Sequence, residues 1–363
     1  MTARDRFWFH RHRKLTLSAL AIVGCVAVVL SAELAARLFV PAWTPKREER
    51  VKFWRFDEGL GWAHEPGQRG QFVHREFRVG VDINSQGLRD SEYPLTRTDK
   101  KRLLVLGDSF GWGFGVEHYE RFSEILESRH PDWEIINASV SGYGTDQQLL
   151  YLRHAGTAWQ PDAVMLLFNY NDFRNNASTE QYWYRKPRFI LRDGRLDLLN
   201  SPVPEPTWRE SIRRFLFART FIGSRISESP FFTRLTNARG MTVDSLTSSA
   251  GTNVVVSPVR VTHALLEAMR ELCREHGTQF ILVSVPVQTT AQGSVLADFA
   301  AMTATPYLPL DDWFDRADIE TTIPHDHHWN ASGHELAAGA IEEFLSRERL
   351  LWFSSDGRAR PAA

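Results

Sequence analysis

A hydroxyl nucleophile needs a base to take its proton and donors to meet the charge that develops on the oxygen of the carbonyl it attacks. This chain offers such groups at four separated points. The first is Leu103-Leu-Val-Leu-Gly-Asp-Ser-Phe110, an apolar run that stops in a turn carrying Ser109 and is followed by Gly111, Gly113 and Gly115. With a helical pattern from Glu117 to Ser128, it reads as strand, turn and helix with a hydroxyl at the turn. Taken alone, the turn reads equally well as a loop in which Asp108 and Ser109 cap a helix. Its glycines fit neither nucleotide motif. A phosphate-binding loop closes on Gly-Lys-Ser/Thr, and a dinucleotide fingerprint needs Gly-x-Gly-x-x-Gly plus an acidic end to the next strand, where Glu134 to Ala138 carries Asn137.

Three further segments also end where a parallel strand should end. In Ile135 to Gly144, Gly142 can bring a bare backbone N–H up to a ligand. Ala163 to Asp172 reads as a strand running out to Asn171, whose side-chain amide can donate, or as a plain Asn-Asp turn. His325-Asp-His-His-Trp-Asn-Ala-Ser-Gly-His334 precedes a helical pattern, Glu335 to Arg347, which Asn330 or Ser332 would cap. Each segment has an ordinary structural explanation. Together and in order they supply a nucleophile, two further donors, and an Asp-plus-His loop for the base and its orienter, which is the inventory of an acyl-transfer site.

In these four blocks the chain resembles the SGNH (GDSL-type) hydrolase superfamily over roughly residues 100 to 350. The superfamily's serine, glycine, asparagine and histidine match Ser109, Gly142, Asn171 and His328. The resemblance implies a serine esterase that forms an acyl-serine intermediate, with His328 as base, Asp326 as its orienter, and an oxyanion hole of Ser109 N–H, Gly142 N–H and the Asn171 amide. Asp326-x-His328 is shorter than the common Asp-x-x-His spacing, and with Trp329 it is similar to the loop of the alginate O-acetyltransferase-like branch. Asn169 and Ser139 stand where the superfamily commonly has glycine. His327, His325 and His334 remain alternative bases. Alternation along an extended segment favours His328, because it would share a side with Asp326 while His327 points away. Asp108 and Asp172 are expected to brace their turns.

The elements that position these residues imply an α/β fold: a three-layer α/β/α sandwich of flavodoxin-like type with a mostly parallel sheet, preceded by one transmembrane helix. Leu15 to Ala32 is eighteen residues without a charge, about 27 Å of helix against a hydrocarbon core of about 30 Å. Arg4, Arg6, Arg11, Arg13 and Lys14 precede it, which favours a cytoplasmic N-terminus and a body on the extracytoplasmic side of the cell membrane. Signal cleavage and lipidation at Cys25 compete with an uncleaved anchor. The expected order is a cytoplasmic tail (1–14), the anchor (15–36), a small β-rich leader (37–100), a hydrolase domain (101–350) with an insertion at about 175–258, and a flexible tail (351–363).

Within the insertion, Phe189 to Leu198 has the Asp-Gly signature of a hairpin. Trp208 to Ile226 mixes Ile212, Phe215, Leu216, Ile222 and Ile226 with Arg209, Arg213, Arg214, Arg219 and Arg225. The plainer reading is a surface helix packed on the core with a solvated arginine face; the sharper one is a basic amphipathic helix on a membrane or over the cleft. Thr236 to Thr252 reads as a mobile loop. Twelve tryptophans, Trp112, Trp183 and Trp329 among them, invite sugar stacking but fill cores more often. With 43 basic and 44 acidic residues and a formal charge of −1, nothing favours a nucleic-acid partner. Cys25 and Cys273 are not expected to pair. No cofactor is called for, and a metal held by His325, Asp326, His327, His328 or His334 would leave Ser109, Gly142 and Asn171 unexplained. The expected substrate is an ester, acylated glycan included. Transfer of the acyl group to a polysaccharide hydroxyl, and a non-catalytic glycan-binding scaffold, are the competing functions.

Overall fold

A strand covered on both faces has to be apolar at every position. Lys101–Gly107, Trp133–Asn137, Ala163–Phe168 and Gln279–Ser284 come close to that condition, with apolar central residues and polar ones only at or next to the strand ends. In a computed structural model, which describes residues 12–39, 52–74, 76–182, 184–229, 254–255, 257–286 and 290–350, they are strands β1, β2, β3 and β4 of one sheet. A short β5 (Tyr307–Pro309) completes it. All pairings in this sheet are parallel and the spatial order is β2-β1-β3-β4-β5. The order reverses between β1 and β3, and doubly wound sheets gather ligands at the carboxyl ends of strands at such a crossing. Gly107 pairs with Leu167 there, so Asp108-Ser109 and Asn169 to Asn171 leave the sheet side by side.

The helices relevant below are α1 (Arg13–Phe39), α2 (Phe122–Arg129), α3 (Thr145–His154), α4 (Pro258–Glu275) and α5 (Ala331–Arg347). Alternation along the strands sorts the core into two layers. Leu103, Val105, Met165, Leu167, Ile281 and Val283 share one cluster with Phe122 and Leu126 of α2 and Ala337, Ile341 and Phe344 of α5. Leu104, Leu106, Val164, Leu166, Phe168 and Leu282 share the other with Leu149 of α3 and Val261, Leu265 and Met269 of α4. Each of these side chains larger than alanine contributes about 1.5–3 kcal/mol on burial. A one-residue register slip would exchange the faces and forfeit much of that, so the register is firmly set. The expected three-layer sandwich is the fold of this chain.

The leader forms two antiparallel hairpins, Trp54–Asp57 with Gly61–His64 and Arg69–Val73 with Arg78–Asp82. Phe53, Trp62, Phe72 and Val81 enter the same cluster as α3 and α4. Arg102 seals the leader onto β1. Its wholly buried guanidinium donates to Glu134 at 2.6 Å and to the carbonyls of Leu95, Trp159, Pro94 and Thr96 at 3.1, 2.9, 2.6 and 2.9 Å. With its donors satisfied, that charge is tolerable in the interior.

The insertion between β3 and β4 contains the expected hairpin, Arg188–Arg192 against Arg195–Leu199, turning through Asp193 and Gly194 at φ 50° and 78°. Helices Trp208–Arg219 and Phe221–Glu228 follow. Lys186, buried beside Asp146, donates to the Asn175 carbonyl at 3.1 Å and ties the insertion to the helix Asn171–Asn176. α1 is long and apolar enough to cross a membrane, with a mean hydropathy of 2.4 and none of its residues buried. Residues 1–11, Trp183, Thr236 to Thr252 and the tail 351–363 lie outside the described residues.

Candidate active site

Ser109 is the first residue of a one-turn helix, Ser109–Trp112, so its N–H has no intrahelical acceptor. Asp108 caps that turn, accepting the Phe110 N–H at 3.0 Å through Oδ1. The turn is close-packed from below: a Cβ at Gly111 would overlap the Ser139 hydroxyl and lie 2.8 Å from its Cβ. It is braced from the side by Arg89, whose guanidinium donates to the carbonyls of Trp112, Gly113 and Val116 at 3.0, 2.6 and 2.8 Å.

The imidazole of His328 stands over this turn. Its Nε2 is 2.7 Å from Ser109 Oγ and its Nδ1 is 2.6 Å from Asp326 Oδ1. A carboxylate can only accept, so Nδ1 carries the proton and Nε2 is left to accept from the serine hydroxyl. Burial pushes the Asp326 pKa up. The hydrogen bonds and charge of His328 outweigh that and hold the carboxyl well below its usual range. The ring lies between Phe114, stacked at 4.1 Å, and Phe110 at 4.9 Å, which limits its tilt.

The sequence pointed to His328 through extended-strand alternation, but the local geometry is different. Asp326 N–H donates to the Ile323 carbonyl at 3.0 Å, and the His328 N–H returns to Asp326 Oδ1 at 3.0 Å. The Asp-x-His spacing therefore closes as an Asx turn, in which one carboxylate oxygen accepts from both the backbone and the ring of His328. His325 and His327 are exposed. His334 faces the core, where its Nδ1 accepts the Phe122 N–H at 3.3 Å. Asn330 does cap α5, accepting the Gly333 N–H at 2.9 Å.

β3 ends at Phe168, three residues before the strand end read from the sequence, and Asn171 opens the helix Asn171–Asn176. Its Nδ2 donates to Asp108 Oδ2 at 3.1 Å, and Asn169 Nδ2 donates to the same oxygen at 2.8 Å. Asn175 Nδ2 reaches Asn171 Oδ1 at 3.4 Å. Asn171 thus has its amide oriented by Asp108 and retains a second N–H, and Asn169 has a use that glycine lacks. Asp172 ties its own turn to the start of α3. It accepts from Thr145 Oγ1 at 3.0 Å, and burial raises its pKa well above the usual range.

Gly142 sits in the β2–α3 loop at φ 88°, and its N–H meets no acceptor among the described residues. A Cβ there would overlap the Tyr182 ring, with Trp62 3.5 Å away. Trp112 and Trp329 are 0 % and 2 % exposed, which makes them core residues and not sugar platforms. The histidines imagined as metal ligands do not converge. Among the described residues a trio whose atoms do is Asp90, His118 and Glu124, and Arg121 Nη2 already contacts all three, at 2.9, 2.9 and 2.7 Å. Arg89, Arg121, Asn169 and the acceptor role of Asp108 are the parts that sequence reasoning missed.

A hydroxyl in line with an imidazole and an ionised carboxylate, at the switch point of a parallel α/β sheet, defines an acyl-transfer hydrolase of the serine type. The comparison with family models agrees: residues 105–336 match the GDSL-like Lipase/Acylhydrolase family, and the chain belongs to it. At family level it is an enzyme that hydrolyses esters. Among solved structures it is similar to TesA (14 % identity, 68 % of this chain and 99 % of that one, TM-score 0.41). It is also similar to the psychrotrophic esterase EstA from Pseudoalteromonas sp. (13 %, 69 % and 99 %, 0.41). A lipase/acylhydrolase from Enterococcus faecalis gives 13 %, 68 %, 96 % and 0.39. No curated protein matches the chain.

Proposed function

We propose that the chain is a membrane-anchored serine esterase, with Ser109 as nucleophile, His328 as base and Asp326 as its orienter. The observation that carries the reading is the continuous run from Asp326 through His328 to Ser109 at 2.6 and 2.7 Å. His328 Nε2 takes the Ser109 proton as Oγ bonds to the ester carbonyl carbon. The carbonyl electrons pass to its oxygen, which the N–H groups of Ser109 and Gly142 and the Asn171 amide receive. As the tetrahedral adduct collapses, the alcohol leaves with the proton held by His328, and an acyl-serine remains. Water, deprotonated by the same imidazole, then releases the acid. α1 is the proposed anchor, and the basic residues before it support an extracytoplasmic active site on the single-pass chain. The acyl-enzyme would serve equally for transfer to a glycan hydroxyl, but neither buried tryptophan lends that acceptor a platform.

The test is hydrolysis of short and long p-nitrophenyl esters by the full chain in detergent, beside Ser109→Ala, with and without an oligosaccharide acceptor. Serine-dependent release of acid into water alone supports the esterase. Turnover that waits for the sugar and yields acylated oligosaccharide replaces it with a transferase. No serine-dependent turnover, together with no labelling of Ser109 by a fluorophosphonate, ends the catalytic reading.

A further inference from the structure

An amphipathic helix normally packs its apolar stripe against its own domain and turns its charges to water. Trp208–Arg219 does the reverse. Glu210 pairs with Arg185 at 2.5 Å and Arg213 pairs with Glu180 at 3.1 Å, so polar groups hold this helix against the rest of the insertion. Trp208, Ile212 and Leu216, spaced i, i+4 and i+8, point away and are 68, 50 and 49 % exposed. On the next helix, Phe221–Glu228, Ile226 is 46 % exposed. Large apolar side chains gathered on one outward stripe need a partner other than water.

The position of the pair says what the partner is. Glu33 of α1 accepts the N–H groups of Phe221 and Ile222 at 2.9 and 3.2 Å, which closes the free end of the second helix. Glu33 is also the first charged residue after the uncharged run Leu15 to Ala32, the point at which a membrane helix emerges from hydrocarbon. The cap therefore pins the helix pair at the depth of the headgroups. Arg209 and Arg225, both exposed, lie over the rings of Trp208 and Phe221 at 5.3 and 5.6 Å, which brings cations to the edge of the apolar stripe. That arrangement fits an interface with an apolar floor and anionic headgroups.

We infer that Trp208–Glu228 lies in the headgroup layer of the bilayer that α1 crosses, with its apolar stripe in the acyl boundary and Arg209 and Arg225 on anionic lipid. The inference rests on the proposed anchor role of α1. It makes the attachment two-point: a spanning helix fixes the chain to the membrane, and the docked pair fixes how the body is turned relative to it.

The test uses the full chain carrying Cys25→Ser and Cys273→Ser, with a single cysteine introduced as Leu216→Cys, Val26→Cys or Met302→Cys. Each is labelled with an environment-sensitive nitrobenzoxadiazole dye and reconstituted in phosphatidylcholine vesicles containing phosphatidylglycerol and nitroxide-labelled lipid. Quenching at position 216 should approach that at 26 on the anchor and exceed that at 302, a 72 % exposed site on another helix, several-fold. Quenching at 26 but not at 216 overturns the inference and leaves the anchor standing. Quenching at neither removes both. Each arginine near an anionic surface is worth about a fivefold gain in partitioning, so high salt or omission of phosphatidylglycerol should weaken the signal at 216. An undiminished signal overturns the assignment of the arginines to anionic lipid.

Discussion

Replacing His334 by glutamine should flatten the acid sensitivity of the fold. His334 is 1 % exposed and its Nδ1 accepts the Phe122 N–H. Burial pushes its pKa down to about 3, and the charges of Arg121, Arg89 and His328 act in the same direction. An unfolded histidine titrates near about 6.5. Below that pH the unfolded chain takes up a proton that the folded chain refuses. The folded pKa is depressed, so the stability contributed by this neutral ring is complete above about pH 6.5 and is lost as the pH falls towards about 3. At about pH 5 the unfolded state has gained RT ln(1 + 10^1.5), about 2 kcal/mol, while the folded state has gained almost nothing. His64 behaves alike, because burial lowers its pKa to about 4 against the opposing effect of the hydrogen bond between its Nδ1 and the Gly87 carbonyl at 2.9 Å. The carboxyls of Asp90 and Asp172, raised by burial, pull the other way, so the quantity to measure is a difference. Urea unfolding of the chain and of His334→Gln, followed by tryptophan fluorescence in the same micelles at about pH 8 and about pH 5, gives it directly. The advantage of the native chain over the variant should shrink by about 2 kcal/mol across that interval. An advantage that stays constant would refute a buried neutral imidazole at this position.

Three further outcomes follow from the site. Asn171→Ala should slow turnover by about 3–4 kcal/mol, roughly two to three orders of magnitude, with little change in KM; unimpaired kcat would remove Asn171 from the oxyanion hole. Asp108→Asn turns an acceptor of the Asn169 and Asn171 amides into a competing donor and should cost about 1.5–3 kcal/mol in kcat while Ser109 still reacts with a fluorophosphonate; wild-type kinetics would show that Asn171 needs no such support. Gly142→Ala places a side chain at φ 88° against Tyr182, with about 1–2 kcal/mol of backbone strain alone; thermal unfolding and ester turnover should both suffer, and a variant that keeps full activity would show that the loop tolerates displacement.

The sheet was legible because a strand buried on both faces leaves no choice of residue. β1, β3 and β4 each carry an uninterrupted apolar run, 103–106, 163–168 and 280–283, that stops at Gly107, Asn169 or Ser284, and their order in the chain implied a parallel arrangement. His328 was legible for a different reason from the one the pattern offered. Alternation along a strand predicted a shared side for residues 326 and 328, and an Asx turn delivers it, because a carboxylate two residues ahead of an N–H satisfies that donor locally. The buried cations were not legible. Arg89, Arg102, Arg121 and Lys186 look like surface residues in a single sequence, since their tolerance depends on carbonyls and carboxylates brought from distant segments. Nor could periodicity say which side of Trp208–Arg219 meets the protein. It yields a stripe, and only the ion pairs of Glu210 and Arg213 show that the stripe points away.

The residues around Ser109 come from very different distances along the chain. Arg102 joins segments that all lie between residues 94 and 159, so the start of the strand that presents Ser109 can be tied to its neighbours while the ribosome is still making β4. His328 lies 219 residues beyond Ser109. On the proposed mechanism, an unfinished chain therefore displays its serine with no base to activate it, and α1 has been synthesised long before the first competent molecule exists. On that mechanism reactivity waits for the loop that carries His328, however early the strand that presents Ser109 has formed.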